Sequence, residues 1–280
     1  MKTATGLVLI CLLAAGVFAQ VPALPGFSSQ TMPTLNPDAP EYRQTGEQYR
    51  VYDFPGTGES IPYRVFVPES WTPDQQLPVL ITLRAGTSIN NNHRPPNSLV
   101  IQAREHGYIL ISPLGYRGYA QPYYGSRYPV IRPNGPSVPA AGWSEEDDAR
   151  AEADVMYVLS LVGAEYNADM SRVFIHGQNP SGSAALHFVA RYPDVFNAAI
   201  ISSGPIVTDN YPFDNLRDKV AVMVLHGDKD TSNPIAASEA LAKALQDHGI
   251  DTEYLVVPGG EHLTAYMLVA DEIYDFLDAH

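Results

Sequence analysis

The sequence predicts an α/β fold, with a mostly parallel central sheet wrapped by helices on both faces. Three observations carry this expectation. Leu77–Leu83 is a continuous apolar run of strand length, the mark of a strand buried on both sides. Strand-like runs alternate along the chain with helical stretches. The chain has 280 residues and 45% hydrophobic content, enough for one domain with a full core.

The elements follow in order. Met1–Ala19 holds Lys2, an apolar run from Gly6 to Val17 and a Val17-Phe18-Ala19 end. It reads as a secretory signal peptide cleaved before Gln20. As a membrane anchor the apolar run would be too short to span, so no membrane span is expected in the mature form. The single cysteine, Cys11, lies inside this segment, so the mature chain can form no disulfide. A secreted or periplasmic location is expected. Gln20–Gln48 carries Pro22, Pro25, Pro33, Pro37 and Pro40 and is expected to be an extended, partly disordered leader. The folded domain is then expected over residues 49–280.

Tyr49–Phe54 and Ile61–Val67 alternate around Pro55-Gly56-Thr57-Gly58 and predict an N-terminal antiparallel hairpin. Next come a helix at Ser98–Glu105 and a strand at Tyr108–Ser112. Ala149–Tyr166 is a helix with Val155, Leu159 and Val162 on one face, Ser144 as N-cap and acidic residues near its start. The rest alternates: strand Ala198–Ser202, strand Val220–Leu225, helix Pro234–Asp247, strand Thr252–Val257 and helix Thr264–Leu277. Residues 114–142 break the pattern, with Tyr116, Tyr119, Tyr123, Tyr124 and Tyr128 among prolines and glycines. A loop this long is either functional or disordered. It reads as an aromatic wall that stacks on sugar or phenolic groups, or as a surface loop packed on its own tyrosines.

The formal net charge of −14 argues against a nucleic-acid partner, which needs a basic footprint, and against docking on anionic lipid. It names no substrate.

The chemistry centres on Arg172–Ser183. An apolar strand ends at Gly177, a tight turn follows, and Ala184–Tyr192 reads as a helix. Strand, sharp turn and helix form the context of the nucleophile elbow G-x-S-x-G. Gly177 fits its first position. Asn179 stands at the nucleophile position and Ser181 at the last. From Gly182 through Arg191-Tyr192-Pro193-Asp194-Val195-Phe196-Asn197-Ala198-Ala199 the chain resembles secreted α/β-hydrolases of the polyhydroxybutyrate-depolymerase and feruloyl-esterase type. The resemblance implies an ester hydrolase acting on polyester or on acetylated or feruloylated polysaccharide, with no metal or organic cofactor. It places the triad acid at Asp230, in His226-Gly227-Asp228-Lys229-Asp230 ahead of Asn233-Pro234. Asp228 is a weaker alternative by register, and a turn aspartate capping the next helix is the plain alternative. The base falls at His262, after Gly259-Gly260. His176, His187 and His226 read as structural.

Three positions depart from that pattern. An amide nitrogen is a poor nucleophile because its lone pair is delocalised, so Asn179 cannot form the usual acyl-enzyme. The residue after the nucleophile, which gives its backbone N–H to the oxyanion hole, is Pro180, and proline has none. Arg84-Ala85 stands where the family has His-Gly. Asn179-Pro180 also reads as an ordinary N-cap and first helical residue, although asparagine tolerates a positive φ. The expectation is a non-catalytic or strongly impaired homologue that keeps Asp230 and His262. The alternative is an active esterase using Ser181 as a shifted nucleophile, about 3 Å further along the helix axis. A third is an exported structural protein with no ligand.

Overall fold

The computed structural model describes residues 19–20, 22–28, 31–83, 97–116, 130–131, 144–207 and 210–280. Its sheet strands are β1 (Gly46–Asp53), β2 (Ser60–Val67), β3 (Val79–Leu83), β4 (Ile109–Pro113), β5 (Val173–Gln178), β6 (Ala198–Ser202), β7 (Ala221–Gly227) and β8 (Thr252–Val257). The helices are α1 (Asn97–His106), α2 (Glu145–Tyr166), α3 (Pro180–Arg191), α4 (Ile235–Asp247), α5 (Ala265–Leu268) and α6 (Ala270–Asp278). Across the sheet the order is β8-β7-β6-β5-β3-β4-β2-β1. The β1–β2 and β2–β4 pairs are antiparallel, which is the expected hairpin joined to the rest. The other pairs are parallel.

Period-two alternation divides each buried strand between two cores. Val79, Ile81, Val173, Ile175, Ala199, Ile201, Val222 and Val224 face α2, α3 and α4. Leu80, Phe174, Ile200, Met223 and Leu225 face α1, α5 and α6. Both sets are buried, so these strands read as apolar runs with no polar face.

Helix α2 starts four residues earlier than its apolar pattern suggests. Ser144 accepts from the Asp147 N–H, and the Asp147 carboxylate accepts from the Ser144 N–H, a reciprocal capping box. The Asn167 C-cap takes the left-handed conformation at φ 50°.

Two expectations are corrected. The leader is not loose where it is described. Phe27 lies 5.6 Å from the Tyr157 ring and stacks on Tyr192, and the Ser160 hydroxyl donates to the Pro22 carbonyl. The reason is visible on α2, where Val155, Met156, Tyr157, Val158 and Leu159 are consecutively buried. A helix apolar beyond one stripe needs cover on more than one side, and the leader supplies it. The C-terminal helix is two helices, broken at Val269, whose φ −123° and ψ 35° are not helical.

A buried ion pair fastens β1 and the leader to α2. Arg50 Nη1 meets Glu165 Oε2 at 2.6 Å, with side-chain exposures of 5% and 2%. Glu165 Oε1 accepts the Arg43 N–H, and Arg50 also donates to the Tyr166 hydroxyl. Among the described residues, no helix is long and apolar enough to cross a membrane.

Removing one partner of such a pair leaves an uncompensated buried charge. Glu165→Ala should therefore lower stability by about 3–5 kcal/mol, read as a drop in the urea midpoint. An unchanged midpoint would show that the pair does not hold the leader and sheet edge together.

Candidate active site

Three strand ends build the site. β5 ends at Gln178, and Asn179 turns the chain into α3 with φ 48° and ψ −118°. This is a strained backbone, held at a cost of about 1–3 kcal/mol. The Asn179 N–H donates to the Ser202 carbonyl at 2.8 Å, which ties the turn to the end of β6. Gly177 is required here, because a Cβ would lie 2.1 Å from the Ser181 carbonyl oxygen. The sharp elbow is thus present.

The N-cap expectation for Asn179 is corrected: its side chain makes no capping bond to the helix. The side chain is spent elsewhere. Asn179 Nδ2 lies 2.8 Å from His262 Nε2, and Asn179 Oδ1 accepts from Asn233 Nδ2 at 3.2 Å. His262 Nδ1 lies 2.8 Å from Asp230 Oδ2. One protonation pattern satisfies all three contacts. His262 is neutral, its Nδ1–H donates to the carboxylate, and its Nε2 lone pair accepts from the Asn179 amide.

The loops after β7 and β8 bring Asp230 and His262 to this point. They pass backbone against backbone, since a Cβ on Gly227 would lie 2.0 Å from the Gly260 carbonyl oxygen. Lys229 N–H donates to Gly260 O, and Gly259 N–H donates to the Asp228 carboxylate. Asp228, the weaker candidate acid, thus fastens the histidine loop instead of facing His262. Gln178 Nε2 donates to the His262 carbonyl at 2.6 Å.

Asp230 collects five contacts. The N–H groups of Ser232 and Asn233 reach Oδ1, while His262, the Ser203 hydroxyl and His226 Nε2 meet Oδ2. Burial alone would raise its pKa, but the Asn233 N–H and the other donors outweigh it and hold the carboxyl below its usual range. His226 is pushed down, mainly by burial. The sequence marks neither Ser203 nor Gln178 at this point, and Asn233 only through the Asn233-Pro234 pair that follows Asp230.

The remaining candidates fall as follows. Pro180 is the first residue of α3, so no N–H exists at that position. Ser181 is fully buried in the first turn of α3, so an approaching ester would not meet its hydroxyl in this conformation. Tyr116, expected on an aromatic wall, is fully buried in the core. Its ring lies 4.8 Å from Phe54, and its hydroxyl donates to Glu59. Asp154 accepts the N–H groups of Gly115 and Tyr116 and pins that turn inward. Arg84, Ala85, Tyr119, Tyr123, Tyr124 and Tyr128 lie outside the described residues.

Comparison with known proteins points one way. The Esterase family matches residues 55–250. Feruloyl esterase B of Neurospora crassa is 32% identical over 108 residues, covering 35% of this chain and 37% of that one. The match thus spans little more than a third of that relative. A thermostable esterase superposes with TM-score 0.62 at 20% identity, over 83% of this chain and 62% of that one. The S-formylglutathione hydrolase of Agrobacterium tumefaciens gives 0.60 at 16%, over 82% and 94%. FphF, a fluorophosphonate-binding serine hydrolase of Staphylococcus aureus, gives 0.61 at 15%, over 84% and 99%. These structures share the fold.

His176, behind the elbow on β5, gives a pH prediction. Burial pushes its imidazole down to about 3, and its Nε2 reaches only the Ser202 hydroxyl at 3.1 Å. The unfolded chain takes up this proton near pH 6.5 and the folded chain does not. Stability contributed by the neutral ring is therefore full above about pH 6.5 and is lost, by about 1.4 kcal/mol per unit, down to about pH 3. Between those limits, His176→Gln should show a shallower fall of stability with acid than the parent. Equal slopes in urea titrations at several pH values would reject this assignment.

Proposed function

The chain belongs to the Esterase family, and on that premise we propose that it is an exported carboxylic-ester-hydrolase homologue that has lost serine-esterase turnover. It keeps the acid and the base and binds an ester, sugar or phenolic group instead. The observation that carries this reading is the 2.8 Å contact between Asn179 Nδ2 and His262 Nε2, at the point where the nucleophile of a serine hydrolase takes its base. The base is intact and well oriented, but the group it would activate is an amide. Pro180 removes one oxyanion donor as well. Feruloyl esters are the first ligand class to try, given the relative's name. Export is supported by the Met1–Ala19 pattern and the cysteine-free remainder.

The test is turnover of a short activated ester, with a fluorophosphonate probe as a second readout. The parent should be silent in both. Asn179→Ser should restore only slow turnover, since Pro180 still withholds a donor worth about 10²–10³ in rate. Adding Pro180→Ala should recover about that factor, and His-Gly at Arg84-Ala85 should add more. Parent turnover that disappears in Ser181→Ala would overturn the reading and establish Ser181 as the nucleophile.

A further inference from the structure

We propose that the chain cuts its own Asn179–Pro180 bond once, by cyclisation of the Asn179 side chain. The reaction goes beyond the ligand-binding reading and does not depend on it, since no external ester takes part. Four features meet at this bond. The Asn179 amide nitrogen lies 2.8 Å from His262 Nε2, and Asp230 holds the opposite edge of that imidazole. This is a base aimed at the proton of a side-chain amide. Asn233 donates to Asn179 Oδ1, where negative charge gathers as that proton leaves. The Gly182 N–H donates to the Asn179 main-chain carbonyl at 2.7 Å, so the electrophile is already polarised by a donor that can hold an oxyanion. The backbone at Asn179 is held at φ 48°, and cutting the chain there releases that constraint.

The step balances within the molecule. Asn179 Nδ2 attacks the carbonyl carbon of its own residue, and His262 Nε2 takes one Nδ2 proton. The tetrahedral oxyanion sits against the Gly182 N–H. Collapse breaks the bond to the Pro180 nitrogen, and His262 returns its proton there. The products are a C-terminal succinimide at residue 179 and a chain beginning with the secondary amine of Pro180. No water, oxidant or reductant is consumed. An amide is a weak nucleophile, but the attack is intramolecular and needs one turnover only. Pro180 also closes the competing route, because ordinary asparagine deamidation starts from the main-chain N–H of the next residue, and proline has none. The halves would stay together after the cut, since β5 and β6 remain paired from Phe174–Ala198 to Gln178–Ser202.

The experiment follows purified protein at neutral pH and 37 °C by denaturing gel, intact mass and N-terminal sequencing. The expected result is a fragment starting at Pro180. Its partner should end at residue 179 in a succinimide, or in the asparagine and isoasparagine to which that ring opens. His262→Ala should slow the cut by about 10²-fold or more. Asn179→Gln, which would need a six-membered ring, should abolish it. Pro180→Ala should divert the chemistry to deamidation of an uncut chain. Circular dichroism checks each variant's fold. Where one fails to fold, the parent held in urea serves instead, and its cutting must stop. A parent chain that stays whole overturns the proposal. So does a fragment ending only in plain asparagine, or cutting at an equal rate in folded His262→Ala or in unfolded parent.

Discussion

One hydrogen bond organises the carboxyl edge of this sheet: Asn179 Nδ2 to His262 Nε2. Asn179 faces two competing uses. Its side chain could cap α3, whose first N–H groups want an acceptor, and that is what asparagine before a proline usually does. It reaches His262 instead, and the helix start goes without a side-chain cap. The outcome is decided by what each alternative leaves exposed or unpaired. The first turn of α3 is buried, and its Gly182 N–H is already taken by the Asn179 main-chain carbonyl. One asparagine meets both the His262 imidazole, as donor, and the Asn233 amide, as acceptor, while Asn233 Nδ2 also reaches the Ser203 carbonyl.

The bond depends in turn on contacts made by the backbone. Gly177 lets the elbow close on the Ser181 carbonyl, and Gly227 lets the acid loop lie on the histidine loop at Gly260. Neither position leaves room for a Cβ. These contacts place three loops from β5, β7 and β8 within hydrogen-bond reach of one another. Asp228 and Gln178 then lock the histidine loop from both sides. Asp230 and His262 are therefore structural assets, because losing either would strand buried polar partners. That gives a physical reason for their presence beside an asparagine.

The sequence made the sheet legible because strands buried on both faces leave unbroken apolar runs. β6 and β8 fall where Ala198–Ser202 and Thr252–Val257 placed them. The approximate places of Asp230 and His262 were legible because each follows a strand end within a recognisable turn. Other features were decided by tertiary contacts that no local pattern records. The leader looked extended on its prolines, yet it is the cover that a helix apolar beyond one stripe requires. Val269 gives no Gly or Pro signal, and the last helix breaks there all the same. Tyr116 sat in a tyrosine-rich stretch that invited a ligand-facing role. The buried carboxylate of Asp154 draws its backbone inward instead. Asn179 is the sharpest case, because the local rule for a helix start and the tertiary partner gave opposite answers.

The elbow's geometry does not depend on the side chain at residue 179. The turn angle is not set by what the nucleophile does. It is set by the close approach at Gly177, by the Asn179 N–H on the Ser202 carbonyl, and by the Gly182 N–H on the Asn179 carbonyl. None of these uses the side chain of residue 179. Any residue tolerant of positive φ can therefore occupy the position, and asparagine is among the few. Once there, its amide is delivered to the imidazole by the same geometry that would deliver a hydroxyl. The scaffold thus presents residue 179 to His262 whatever its side chain, because every contact that sets the turn is made by backbone.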